Sequence, residues 1–129
     1  MPDQDPEEIA RSFRTWLAAQ APEGVEVTVT PVGAVAPLLT PLDNPAVQTL
    51  CGAIERVWGK KPLFTRSGGS GPEEALGRVL GAPVTFLGVA LPDDNFHAPN
   101  EHLELDQLWR GVLAAGELLL DLGTLKVGQ

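Results

Sequence analysis

Cysteine occurs once in the 129 residues, at Cys51, so no disulfide framework can form within one chain. That thiol falls inside an apolar helical pattern, where a small buried hydrophobe is the bland reading and a catalytic thiol the sharper one. Basic residues are also scarce. Nine Lys and Arg stand against 17 Asp and Glu, for a formal net charge of -8. The only adjacent basic pair is Lys60-Lys61, and without clustered cations a nucleic-acid backbone has nothing to hold it. No apolar run approaches the roughly 18 residues a membrane span requires, and the acidic start "MPDQDPEEIA" lacks a basic-then-apolar leader. These absences predict a soluble, cytoplasmic protein with no membrane or nucleic-acid partner. Histidine occurs only twice, at His97 and His102, which limits any metal site. Internal repeats and low-complexity tracts are missing too.

What is present is an ordinary globular balance, 43% hydrophobic and 20% charged, in a chain long enough for a core. The spacing predicts a helix over residues 5 to 21. Asp5 stands at its cap, Pro6 in its first turn, and Ile9, Phe13, Trp16 and Leu17 form its apolar stripe. "VEVTVT" then alternates as a strand buried on one side, and the proline-rich "PVGAVAPLLTPLDNP" reads as a connector. A second helix runs from Asn44 to Trp58, with Asn44 as cap and Gly59 past its end. Leu63 to Arg66 reads as a short strand, Pro72-Glu73-Glu74 as a helix start, and "APVTFLGVAL" as a central strand covered on both faces. The last helix spans about Glu104 to Leu122. It carries Leu105, Leu108, Trp109, Val112, Leu113, Leu119 and Leu120, and ends at Gly123. Alternating helices and strands predict an α/β fold with a mainly parallel sheet and covering helices.

Two stretches could carry chemistry. "TRSGGSGPEE" sets Arg66 and a run of bare amides ahead of a helix N-terminus. That arrangement suits a carboxylate or phosphate, though a flexible turn is the competing reading. It lacks the Gly-Lys-Ser/Thr ending of a P-loop and does not match GxGxxG. "DDNFHAPNE" places His97 after an apolar run, either as a metal ligand or as a hydrogen-bonded structural histidine. Asp93 and Asp94 read as a solvated acidic loop, with ligation as the alternative.

Taken together, "PDQDPEEIARSF", "GKKPLFTRSGGSGPEEALGRVLGAPVTFLGVALPDDNFHAPNEHLEL" and the helix that follows resemble the C-terminal part of the di-zinc peptidases and deacylases. These include carboxypeptidase G, acetylornithine deacetylase, succinyl-diaminopimelate desuccinylase, aminoacylase and the carnosinase-type dipeptidases, with the dipeptidase branch nearest. The pairing of R-x-G-G-S with H-x-P-N-E carries the resemblance, which extends over essentially the whole chain.

The resemblance implies that residues 1 to 36 are the remnant of an α+β lid or dimerisation domain, and 37 to 129 the closing half of a catalytic domain. It implies that His97 is a zinc ligand and that Arg66, Gly69 and Ser70 grip the carboxylate of a small peptide or N-acyl amino acid. Gly71 departs from the family, which more usually has a branched apolar residue there. The family's other zinc ligands and its general base have no counterpart in this chain. A complete family site holds two zinc ions, whereas at most one, weakly bound through His97, is expected here. The expectation is therefore a truncated product or fragment with no catalytic residue of its own, inactive alone. It would either pair with a separate N-terminal half or persist as a self-associating homodimer or interaction module.

Overall fold

The computed structural model of the protein describes residues 3–125. Within them lie four helices: α1 (Pro6–Gln20), α2 (Pro45–Trp58), α3 (Glu73–Leu80) and α4 (Leu105–Leu122). The chain divides into two compact units. One runs up to Leu39 and includes Ser67–Val84; the other combines Thr40–Arg66 with Thr85 onward.

Helix ends follow the local chemistry of the sequence. The Asp5 carboxylate accepts the amides of Glu7 at 2.8 Å and Glu8 at 2.9 Å, satisfying two donors that the first turn of α1 leaves open. The Asn44 side chain does the same for Ala46 at 2.9 Å, and Pro45 occupies the position where a missing N–H costs nothing. At the other end of α2, Gly59 turns left-handed (φ 70°) and its amide closes on the Glu55 carbonyl. No side chain caps α3; the Pro72 carbonyl accepts the Leu76 amide, and Arg78 pairs with Glu74 one turn away.

The expected mainly parallel sheet is not there: the described residues contain no strand. The segments read as strands, residues 25–30, 63–66 and 84–91, carry no regular secondary structure. The physical reason is that a strand exists only as one side of a pair. Helices complete their hydrogen bonds within four residues, whereas an alternating or apolar run needs a second segment in register to form a ladder. Those runs have apolar patterning but form no ladder among the described residues, where the regular elements are all helices.

In the second unit α2 packs on α4. From α2, Val47, Leu50 and Ala53 are buried; from α4, the buried residues are Gly111 and Ala114. Small residues let the elements approach closely. Val89 occupies the space that a Cβ at position 111 would need. Trp58 Nε1 donates to Gln107 Oε1 at 3.0 Å, and Arg56 donates to Glu117 at 2.8 Å and to Asp121, tying the helix pair at its surface. The large apolar residues of α4 lie elsewhere: Leu105, Trp109, Val112, Leu113, Leu119 and Leu120 are all more than half exposed. In the first unit, Ile9, Phe13 and Trp16 of α1 are likewise exposed, with the rings of Phe13 and Trp16 stacked 6.4 Å apart. Among the described residues no helix is long and apolar enough to cross a membrane.

Candidate functional site

The loop from Leu91 to His102 is built by local chemistry. "Leu-Pro-Asp-Asp" has proline at the second position of a turn, where its fixed φ is already correct, and the Asp94 amide closes that turn on the Leu91 carbonyl at 3.1 Å. The turn swings the Asp94 side chain back over its own start, so that Oδ2 accepts the Leu91 amide at 2.7 Å. The Asp94 carbonyl in turn accepts the His102 amide at 3.0 Å, which brings the far end of the loop to the same residue. Asp94 thus fastens both ends. It is only 1% exposed, the one buried polar or charged residue among those described.

Between those fastenings the backbone takes a left-handed conformation three times, at Asn95 (φ 56°), His97 (φ 55°) and Asn100 (φ 61°). Asn and His are among the non-glycine residues that enter this region most readily, so the composition "NFHAPN" supports the path it follows. His97 is exposed on this loop. His102 sits at its end with Nδ1 3.1 Å from the Asn100 carbonyl and Nε2 3.9 Å from Asp94 Oδ1.

The reading of Asp93 and Asp94 as a solvated acidic loop holds for Asp93, which is exposed, and fails for Asp94. The signal was available in the Leu-Pro-Asp-Asp turn, which folds its last carboxylate inward. Cys51 is a free thiol of intermediate burial.

Arg66 is exposed and lies in the second unit with His97, whereas Gly69 and Ser70 lie in the first. Within the glycine-rich run, the Gly69 amide already donates to Ser67 Oγ at 3.1 Å, so one of the expected free donors is engaged locally. A Cβ at Gly71 would meet the carboxylate end of Glu73, a flexible group. Among the described residues one ionisation is shifted: hydrogen bonds to Asp121, then Glu117, hold the Arg56 guanidinium above its ordinary value.

No three His, Cys, Asp or Glu side chains among the described residues converge in a group that could hold a metal ion. A two-metal hydrolytic centre needs several such donors from different elements, so the donors brought together here do not make one.

The sequence pattern that describes Peptidase family M20/M25/M40 matches residues 5–121. The chain belongs to this family. It is also similar to a succinyl-diaminopimelate desuccinylase of Helicobacter hepaticus, with 28% identity over 102 residues, covering 79% of this chain and 24% of that relative. The chain therefore spans about a quarter of the length of the curated relative it matches. No solved structure matches it significantly. The family is the one that the sequence as a whole resembles.

Proposed function

We propose that this chain is the C-terminal part of a zinc-dependent amidohydrolase that cleaves a peptide or N-acyl amino acid amide, and that it is catalytically incomplete by itself. The observation that carries the reading is the family match over residues 5–121, joined to the 24% share of the relative that the chain spans. In this reading residues 1–36 belong to a lid or dimerisation domain and 37–129 to the catalytic domain. His97 contributes one zinc ligand. Arg66, Gly69 and Ser70 hold the substrate carboxylate beside the scissile bond, since a guanidinium and backbone amides suit a carboxylate. The zinc ions of a complete site would activate water for attack on the amide; the residues here bind and orient.

Hydrolysis of succinyl-diaminopimelate and of simple dipeptides tests the reading in two samples, each with zinc supplied. One is the chain alone. The other is the Helicobacter relative with its matching quarter replaced by this chain. The reading expects no turnover from the first and turnover from the second. Hydrolysis by the chain alone would overturn its incompleteness.

A second reading, an interaction module that self-associates, draws on the apolar side chains that α1 and α4 expose. Large apolar side chains left exposed along a helix favour association with a partner surface. Light scattering of the purified chain tests it: a dimer supports the module, and a monomer at every concentration opposes it.

A further inference from the structure

The strongest unexplained feature outside the proposed zinc and carboxylate positions is the gap between Asp94 and His102. Asp94 Oδ1 is fully buried and has no hydrogen-bond partner, while Oδ2 of the same carboxylate is engaged by the Leu91 amide. A carboxylate oxygen held out of water without a donor or cation is an unfavourable arrangement, and native structures rarely leave it so. Among the described residues its one ion-pair contact is with His102 Nε2, at 3.9 Å.

The tautomer of His102 sharpens the point. Its Nδ1 lies 3.1 Å from the Asn100 carbonyl oxygen. A carbonyl has no hydrogen to give, so Nδ1 carries the proton and donates it. In the neutral ring Nε2 then presents a lone pair, and the nitrogen lies 3.9 Å from a carboxylate oxygen. Two acceptors at that spacing, one of them buried without a donor, are satisfied by a shared cation. An imidazole whose other nitrogen donates to a backbone carbonyl is also the form in which histidine binds metals.

We propose that Asp94 Oδ1 and His102 Nε2 form a two-donor site for a divalent zinc-type cation, with water completing its coordination. Zinc bonds to nitrogen and oxygen of about 2.0 to 2.2 Å place two ligands of a tetrahedral ion roughly 3.4 Å apart. The observed 3.9 Å is within about half an ångström of that spacing, and His102, half exposed, is the partner free to move. The loop supplies the rest of the preorganisation, because both of its ends close on Asp94 through Leu91 and the His102 amide. The site uses neither His97 nor the carboxylate-gripping stretch, so it stands apart from the proposed hydrolase role.

The test is titration of the full chain with zinc ion alone, against a competing chromophoric chelator, for the native protein and for His102→Gln, Asp94→Asn and His97→Gly. Saturable zinc uptake is expected in the native chain and in His97→Gly. Uptake should be weakened at least about tenfold in His102→Gln, the lower end of what even an outer partner of a metal ligand contributes. Asp94→Asn should behave like His102→Gln. If the buried substitution prevents folding, the exposed His102→Gln carries the test, with hydrogen exchange at the Leu91 and His102 amides as a second readout. Zinc should slow that exchange in the native chain and leave it unchanged in His102→Gln. Equal zinc affinity in the native chain and His102→Gln, no saturable uptake at all, or loss of all uptake in His97→Gly would each overturn the site.

Discussion

Asp94 accepts the Leu91 amide at 2.7 Å through one carboxylate oxygen while its backbone carbonyl receives the amide of His102, so a single buried residue closes the loop that displays His97. Replacing Asp94 by alanine leaves the Leu91 amide without its acceptor, a loss of about 1 to 3 kcal/mol of stability. Asparagine keeps an acceptor in the same place and should lose less. Urea unfolding of the two variants measures the difference, and alanine below asparagine is the expected outcome.

The contact between Val89 and Gly111 gives a second prediction. A methyl group at position 111 would collide with Val89 Cγ1, so Gly111→Ala should destabilise the chain by about 1 to 3 kcal/mol, as overpacking does. The gain in helix propensity on replacing glycine is smaller than that clash. Trimming Val89 to alanine in the same chain should recover most of the loss. The non-additivity of the double variant in a thermal unfolding cycle is the measurement.

Arg56 joins α2 to α4 at the surface, bonded to Glu117 and Asp121. Its raised pKa means that the charged form is favoured in the folded state. The stability it adds is present throughout neutral pH and is lost only as pH climbs through the strongly alkaline range of the folded group. Moving from neutral to mildly alkaline pH should therefore leave this contribution unchanged, whereas salt should weaken it because the groups are exposed. The difference in unfolding midpoint between Arg56→Ala and the native chain should shrink steadily as sodium chloride is raised.

Gly71 should tolerate a side chain. The group in the way is the carboxylate end of Glu73, which can swing aside, and no left-handed φ is imposed at this position. Gly71→Ala restricts the unfolded chain and should raise stability by about 0.4 to 1 kcal/mol, readable as a higher urea midpoint with unchanged slope.

Helices were legible from sequence to within a residue or two because their determinants are local. Asp5, Asn44 and Gly59 each act within one turn, and each sits at the helix end where its chemistry points. The runs at residues 25–30 and 84–91 misled because apolar patterning describes what a segment would bury and says nothing about which backbone it pairs with. Periodicity also could not show which side of α4 packs. The buried contacts came from Gly111 and Ala114, residues with little hydrophobicity, because close approach at the helix pair favours small side chains over large ones. For the candidate site, the resemblance singles out His97, whose ligand role is proposed, and residue types that tolerate positive φ explain its loop. The closing role of Asp94 was hidden, since an aspartate beside another aspartate looks solvated until the Pro92 turn is followed through.

The most direct test of the central claim is zinc content and turnover of the Helicobacter relative carrying this chain in place of its matching quarter, with and without His97→Gly. Glycine is the apt replacement because it accepts φ 55° without strain while removing the imidazole. If His97 is a ligand of a hydrolytic zinc centre, the substitution should lower bound zinc and reduce succinyl-diaminopimelate hydrolysis by at least about 100-fold, the scale of lost metal-ligand interactions. Unchanged zinc content and unchanged turnover would contradict the assignment.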